Sequence, residues 1–231
     1  MTSIVDVQID AHTGLFSYLE TTTMTFPAIH LSMSYRLIAL GALLLSTTAQ
    51  AQPALLEGRA LTDALKKGGY TLFFRHTATD QSIGDQDKPV VTDCTTQRNL
   101  SREGRIEARA IGQTIDSLQI PVGRVFASPY CRAMETARLG FARAEANEAL
   151  IEQKPQNDVT AKIAEAGLRP LLAAVPSPGT NTVLVSHGFN LRSISGFALA
   201  EGESAIYLPD GKGNFNLVAR ILPAKWSGLT P

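Results

Sequence analysis

The stretch Tyr70-Thr71-Leu72-Phe73-Phe74-Arg75-His76-Thr77 constrains this chain more than any other. An apolar, aromatic run with no polar alternation reads as a buried strand. It stops at a cation and an imidazole followed by small polar residues, which is how such a strand delivers reactive side chains to a sheet edge. His76 is therefore the first candidate for a working residue.

The rest of the chain is patterned around that strand. Gly58 to Lys67 carries Ala60, Leu61, Ala64 and Leu65 at helical spacing and stops at Gly68-Gly69. Residues 80–99 are polar and read as a loop over the strand end. Ser101 is placed to cap a helix with Glu103 in its first turn. Its apolar stripe is Ile106, Ala110, Ile111, Ile115 and Leu118, and Arg102, Arg105 and Arg109 form a solvated face. A second strand, Val125 to Ala127, ends at Ser128-Pro129, and a helix begins near Cys131. Residues 140–158 read as a connection. Asp158 or Thr160 is expected to cap a helix reaching Leu171-Leu172, with Pro170 as a kink or break. Thr182 to Val185 is the most β-like run and ends in Ser186-His187-Gly188. A short helical piece, Leu191 to Ala198, and a hairpin of Ile206–Leu208 with Phe215–Val218 close the chain. Alternating strands and helices predict an α/β sheet of mostly parallel strands with one antiparallel edge strand.

The leader has its own signature. Leu37 to Leu45 is an uncharged apolar run after Arg36, followed by Ala49-Gln50-Ala51, the small-x-small pattern of a signal-peptidase site. Residues 33–51 thus read as a secretory signal cut after Ala51, with Met33 as the expected start and 52–231 as a single catalytic domain. The run is shorter than the roughly 20 apolar residues of a permanent membrane anchor. Export to the periplasm or outside the cell is the expectation. Removing residues 1–51 takes one of 21 basic and three of 21 acidic residues, leaving 20 against 18. That balance excludes nucleic acid as the main partner. Cys94 and Cys131 are the only cysteines, and in an oxidising compartment they are a candidate disulfide.

Of four histidines, only His76 and His187 follow the signal, and each directly follows an apolar strand. Ligands bind at the carboxyl ends of strands in an open α/β sheet, so the two imidazoles are expected to converge, with Arg132 reaching the same place. Two arginines and two histidines fit a phosphoryl group: guanidinium gives paired bonds to phosphate oxygens, and a neutral imidazole attacks phosphorus in line.

Arg75-His76, Leu100-Ser101-x-x-Gly104, the segment Ser128 to Ala137 and Ser186-His187-Gly188 together resemble the histidine phosphatase, or phosphoglycerate mutase-like, superfamily, from about Gly69 to Phe197. The resemblance implies a three-layer α/β/α sandwich with a mostly parallel central sheet. It also implies phosphorylation of His76, a phosphoryl group held by Arg75, Arg132 and His187, and no metal or cofactor. A carboxylate that protonates the leaving group is implied too. Glu152, in Leu150-Ile151-Glu152, is the nearest match, with Glu148 and Glu203 as alternatives. Thr77 stands where the family has Gly, whereas Thr79 matches its hydroxyl position, and Arg98 adds a cation that selects an anionic substrate. The exported Ais-type members point to a phosphorylated sugar or a lipopolysaccharide core phosphate as substrate.

The same residues admit other readings. They are a phosphoglycerate mutase, a phosphate-binding pseudoenzyme, a zinc site at His76 and His187, and a serine hydrolase at Ser186, though the chain has no Gly-x-Ser-x-Gly turn.

Overall fold

The computed structural model describes residues 54–152 and 158–230, so the leader expected in residues 1–51 lies outside the described part. Six strands form one sheet in the order β3-β2-β4-β1-β5-β6. They are β1 (Thr71–Arg75), β2 (Val122–Ala127), β3 (Glu145–Ala146), β4 (Asn181–Ser186), β5 (Ser204–Pro209) and β6 (Phe215–Ile221). The strands β3, β2, β4 and β1 are parallel neighbours, and β5 is antiparallel to both β1 and β6. Only β5 is reversed, and it lies second from the edge. The expected antiparallel edge strand is corrected accordingly: the hairpin turns β6 back into the common direction.

Two cores sandwich this sheet. Alternate strand residues Leu72, Phe74, Val125, Val183 and Val185 pack against α1 (Gly58–Lys67), α2 (Arg102–Ser117), α3 (Cys131–Phe141) and the terminal α6 (Pro223–Trp226). Phe73, Phe126, Leu184 and Tyr207 face the other way, onto α4 (Asp158–Ala173) and the segment holding α5 (Arg192–Ser195). The period of two along each strand supplies both layers, giving the expected three-layer α/β/α architecture. Burying Phe73 and Phe74 fully is worth about 2–3 kcal/mol each in apolar transfer.

Two expectations for helices are corrected. Ser101 caps α2 as expected, its Oγ accepting from Gly104 N at 3.0 Å. However, the buried face is Gly104, Ala108, Ile111, Gly112 and Ile115, whereas Ile106 is 57 % exposed. The stripe is rotated because α2 is held too close to its neighbours for large side chains. A Cβ at Gly112 would stand 2.0 Å from the Gly140 carbonyl oxygen, and one at Gly104 would stand 1.9 Å from that of Ala78. Nor is Arg105 merely solvated, since it pairs with Glu135 at 2.6 Å and donates to the Leu100 carbonyl. In α4 only the break is corrected, since the helix continues through Pro170 to Ala173.

Candidate active site

Strand ends bring the chemistry together. β1 and β4 are parallel neighbours with Arg75 opposite Ser186, so His76 and His187 leave adjacent strands at the same edge. Their rings lie 5.5 Å apart, centre to centre, at 67°. The next strand over, β2, leads through Ser128 into α3, whose first turn carries Arg132. Tyr130 links the two sides: its ring meets His187 edge-on at 5.3 Å and lies under the Arg132 guanidinium at 4.7 Å. His187 Nε2 is hydrogen-bonded to Ser128 Oγ at 2.9 Å.

His76 is buried, and its Nδ1 lies 2.9 Å from the Thr77 carbonyl oxygen. A carbonyl can only accept, so Nδ1 carries the proton and Nε2 presents its lone pair. Burial drives the imidazole pKa down to about 3, and the charges of Arg132, Arg75 and Arg98 push the same way. The ring is therefore neutral at physiological pH, with the Nε2 lone pair free of the proton. The Thr77 hydroxyl is taken up by Thr136 Oγ1 at 3.2 Å, which fastens this turn to α3.

Arg132 has no exposed surface, and two carboxylates balance it: Asp85 at 3.0 Å on Nη1 and Glu152 at 3.3 Å on Nη2. An unpaired buried guanidinium would be costly, so these contacts make the site foldable. Glu152 is positioned from below, because Ser186 Oγ and Asn190 Nδ2 donate to the Leu150 and Ile151 carbonyls just before it. Of the alternative acids, Glu203 is buried against Arg220 at 2.6 Å, and Glu148 borders a groove beside the disulfide. Within the described contacts, Glu152 is the one of the three that touches Arg132.

Arg75 is held by the Leu199 carbonyl at 2.9 Å and by Glu201 at 3.4 Å. Burial lowers its pKa from the ordinary guanidinium value, with Glu201 opposing that shift. The Thr79 hydroxyl, expected to face the phosphoryl group, donates through Oγ1 to Glu201 at 2.6 Å. Arg98 donates through Nη1 to Gln81 Oε1 at 3.0 Å. Buried Nε atoms of Arg75, Arg98 and Arg132 have no hydrogen-bond partner among the described residues. Three guanidinium donors turned inward in one neighbourhood suit a multi-oxygen anion.

Cys94 and Cys131 are joined, with Cα atoms 5.7 Å apart. The bridge ties the loop before Arg98 to the first residue of α3. Gln97, 1 % exposed, reinforces the tie by accepting from Cys131 N at 2.9 Å. No group of three metal-ligating side chains occurs among the described residues. Asp85, Gln81, Gln97, Tyr130 and Glu201 were not found from the sequence, because each acts through contacts across the fold that leave no local signature.

Residues 71–156 match the histidine phosphatase superfamily, branch 1. That span takes in Arg75, His76, Thr79, Arg98, Arg132 and Glu152 and ends before His187. No curated protein matches the chain. Among solved structures, the chain is similar to the protein histidine phosphatase SixA complexed with tungstate, at 19% identity and a TM-score of 0.47, covering 68% of this chain and 98% of that one. It is also similar to a phosphoserine phosphatase mutant from Entamoeba histolytica, at 14% identity and a TM-score of 0.46, covering 67% and 97%. A putative phosphohistidine phosphatase SixA from Agrobacterium tumefaciens follows at 14% identity and a TM-score of 0.43, covering 67% and 99%.

Proposed function

We propose that this protein is an exported, metal-independent phosphatase that hydrolyses a phosphomonoester through a covalent phosphohistidine on His76. The observation that carries the reading is the neutral His76 ring, its Nδ1–H spent on the Thr77 carbonyl, beside His187 and buried arginines. Nε2 attacks phosphorus, and the bond from phosphorus to the leaving oxygen breaks as Glu152 passes a proton to that oxygen. Arg75, Arg132 and His187 stabilise the equatorial oxygens in a site with little water to screen them. Water then attacks the phosphohistidine, Glu152 takes the proton back, and inorganic phosphate leaves with His76 restored.

Before the first step, the phosphoryl group must compete with Asp85 and Glu152 for Arg132. That competition frees the Glu152 carboxyl from Arg132 and leaves it beside the leaving oxygen. Arg98 is the cation that selects for anionic substrates. A phosphorylated sugar or a lipopolysaccharide core phosphate is the substrate class we carry from the Ais-type resemblance. Export rests on the signal at residues 33–51, and exported protein beginning at Gln52 on N-terminal sequencing supports it, whereas retention of the leader overturns it.

The test is hydrolysis of p-nitrophenyl phosphate in the presence of EDTA by wild type, His76→Ala and Glu152→Gln. His76→Ala should abolish turnover in a folded protein. Glu152→Gln should lower kcat by about 10²–10⁴-fold on an alkyl phosphate, whose leaving group needs the proton, and less on p-nitrophenyl phosphate. Activity retained by His76→Ala refutes the mechanism.

A further inference from the structure

Arg98 lies on the loop before α2 and Arg75 at the end of β1, yet the two guanidinium groups are linked to one acidic side chain that belongs to neither element, Arg75 directly and Arg98 through Gln81. Glu201 stands just before β5. It accepts from Arg75 Nη2 at 3.4 Å, from Thr79 N at 3.1 Å, from Thr79 Oγ1 at 2.6 Å and from Gln81 Nε2 at 3.2 Å. Gln81 completes the line, its Oε1 accepting from Arg98 Nη1 at 3.0 Å. An amide can do this because it donates from one end and accepts at the other. A carboxylate at position 81 could not donate to Glu201, and a lysine could not accept from Arg98.

From this geometry we infer that Glu201 and Gln81 are positioning residues that set the two arginines together, with Gln81 passing the orientation of Glu201 on to Arg98. The inference rests on the phosphatase reading of the site. Several features make the arrangement more than a surface network. The backbone around Glu201 also holds the nucleophile's strand end: Arg75 N donates to the Glu203 carbonyl, and Gly202 N donates to the His76 carbonyl. Arg75 Nη1 is fixed on the Leu199 carbonyl, and no Cβ fits at Gly188, 3.1 Å from that same Nη1. The segment from Leu199 to Glu203 is thus a template against which Arg75 and His76 are set.

Arg98, by contrast, lies outside that template and sits on a loop. Its side chain gains a fixed direction through Gln81, which is itself exposed. Fixing one corner of the guanidinium sets the direction of the rest of the group, whose buried Nε has no hydrogen-bond partner among the described residues. Long arginine side chains lose several rotamers when they bind, so holding Arg98 in advance lowers the cost of using it.

The test is a double-mutant cycle on Gln81 and Arg98 in the full-length protein, with inorganic phosphate as the probe. The phosphate inhibition constant against p-nitrophenyl phosphate is measured for wild type, Gln81→Met, Arg98→Ala and the double variant. Methionine keeps the length of glutamine and removes its hydrogen bonds to Thr79, Glu201 and Arg98. Each single change is expected to weaken phosphate by about tenfold, and the double change by no more than the larger single one, since residues acting as a unit are non-additive. Glu201→Gln should raise KM and lower kcat together, because Arg75 acts on the transferring group. A Gln81→Met protein that binds phosphate like wild type overturns the inference, as does a double variant whose loss is the product of the two single losses. A wild type that neither hydrolyses p-nitrophenyl phosphate nor binds phosphate overturns the phosphatase reading and this inference with it, so the two failures are told apart.

Discussion

His76 is 2 % exposed and Arg132 wholly buried, and burial acts on them in opposite ways. The imidazole can shed its proton, so desolvation leaves it neutral and nucleophilic; the guanidinium cannot, so it collects Asp85 and Glu152 instead. The titration of His76 follows. Its pKa of about 3 in the fold, against 6.5 ordinarily, means that the ring stays neutral with the proton on Nδ1 through the physiological range. Nitrogen-15 NMR of the labelled imidazoles is expected to show that tautomer unchanged as pH falls through 6.5, and a protonation midpoint near 6.5 would contradict it. The same shift sets a direction for stability. Its contribution is complete above 6.5 and is lost as pH falls from 6.5 toward 3, because the unfolded chain takes up the proton first. His76 and His187 were legible in the sequence because each ends an apolar run, a purely local pattern. Glu201 was not, since it meets Thr79 across more than a hundred residues and its neighbourhood reads as an ordinary turn.

Elements set how firmly these residues are held. The loop of residues 80–99 carries Gln81, Asp85 and Arg98, has little regular structure, and is anchored to α3 by the Cys94–Cys131 bridge and by Gln97. Closing a loop of sequence separation 37 is worth about 4 kcal/mol in the chain-entropy model. Paired Cys94→Ser and Cys131→Ser changes should lower the melting temperature by roughly 10 °C. They should also weaken phosphate inhibition well below the melting range, because the bridge fixes the loop bearing Asp85 and Arg98 beside Arg132. Phosphate inhibition that stays at the wild-type level would make the bridge a purely structural one. The elements also show where periodicity misleads. α2 was legible in position and cap, yet its buried face was misread: hydrophobicity favours Ile106, and close approach of α3 and the Ala78 backbone favours Gly104, Ala108 and Gly112. Contact distance between helices is a tertiary quantity that a stripe of apolar residues does not encode.

At the scale of the whole molecule, one sheet edge gathers the candidate chemistry. Parallel β1, β4 and β2 end side by side, so His76, His187 and the turn into Arg132 arrive together. This much follows from strand order and the right-handed crossovers of α/β sheets, which is why the site was legible as strand ends before any distance was known. The direction of β5 was not, because a hairpin fixes only the relation of β5 to β6 and leaves its pairing with β1 to the sheet. The reversed strand has a use here, since the turn entering β5 carries Glu201 to the same edge as His76. The most direct test of the account is to trap the intermediate. Wild-type protein turning over p-nitrophenyl phosphate is quenched in alkali, where phosphohistidine survives, and its peptides are mapped by mass spectrometry. The account predicts one phosphoryl group on the peptide containing His76, absent from His76→Ala; turnover without that adduct, or the same adduct in His76→Ala, would contradict it.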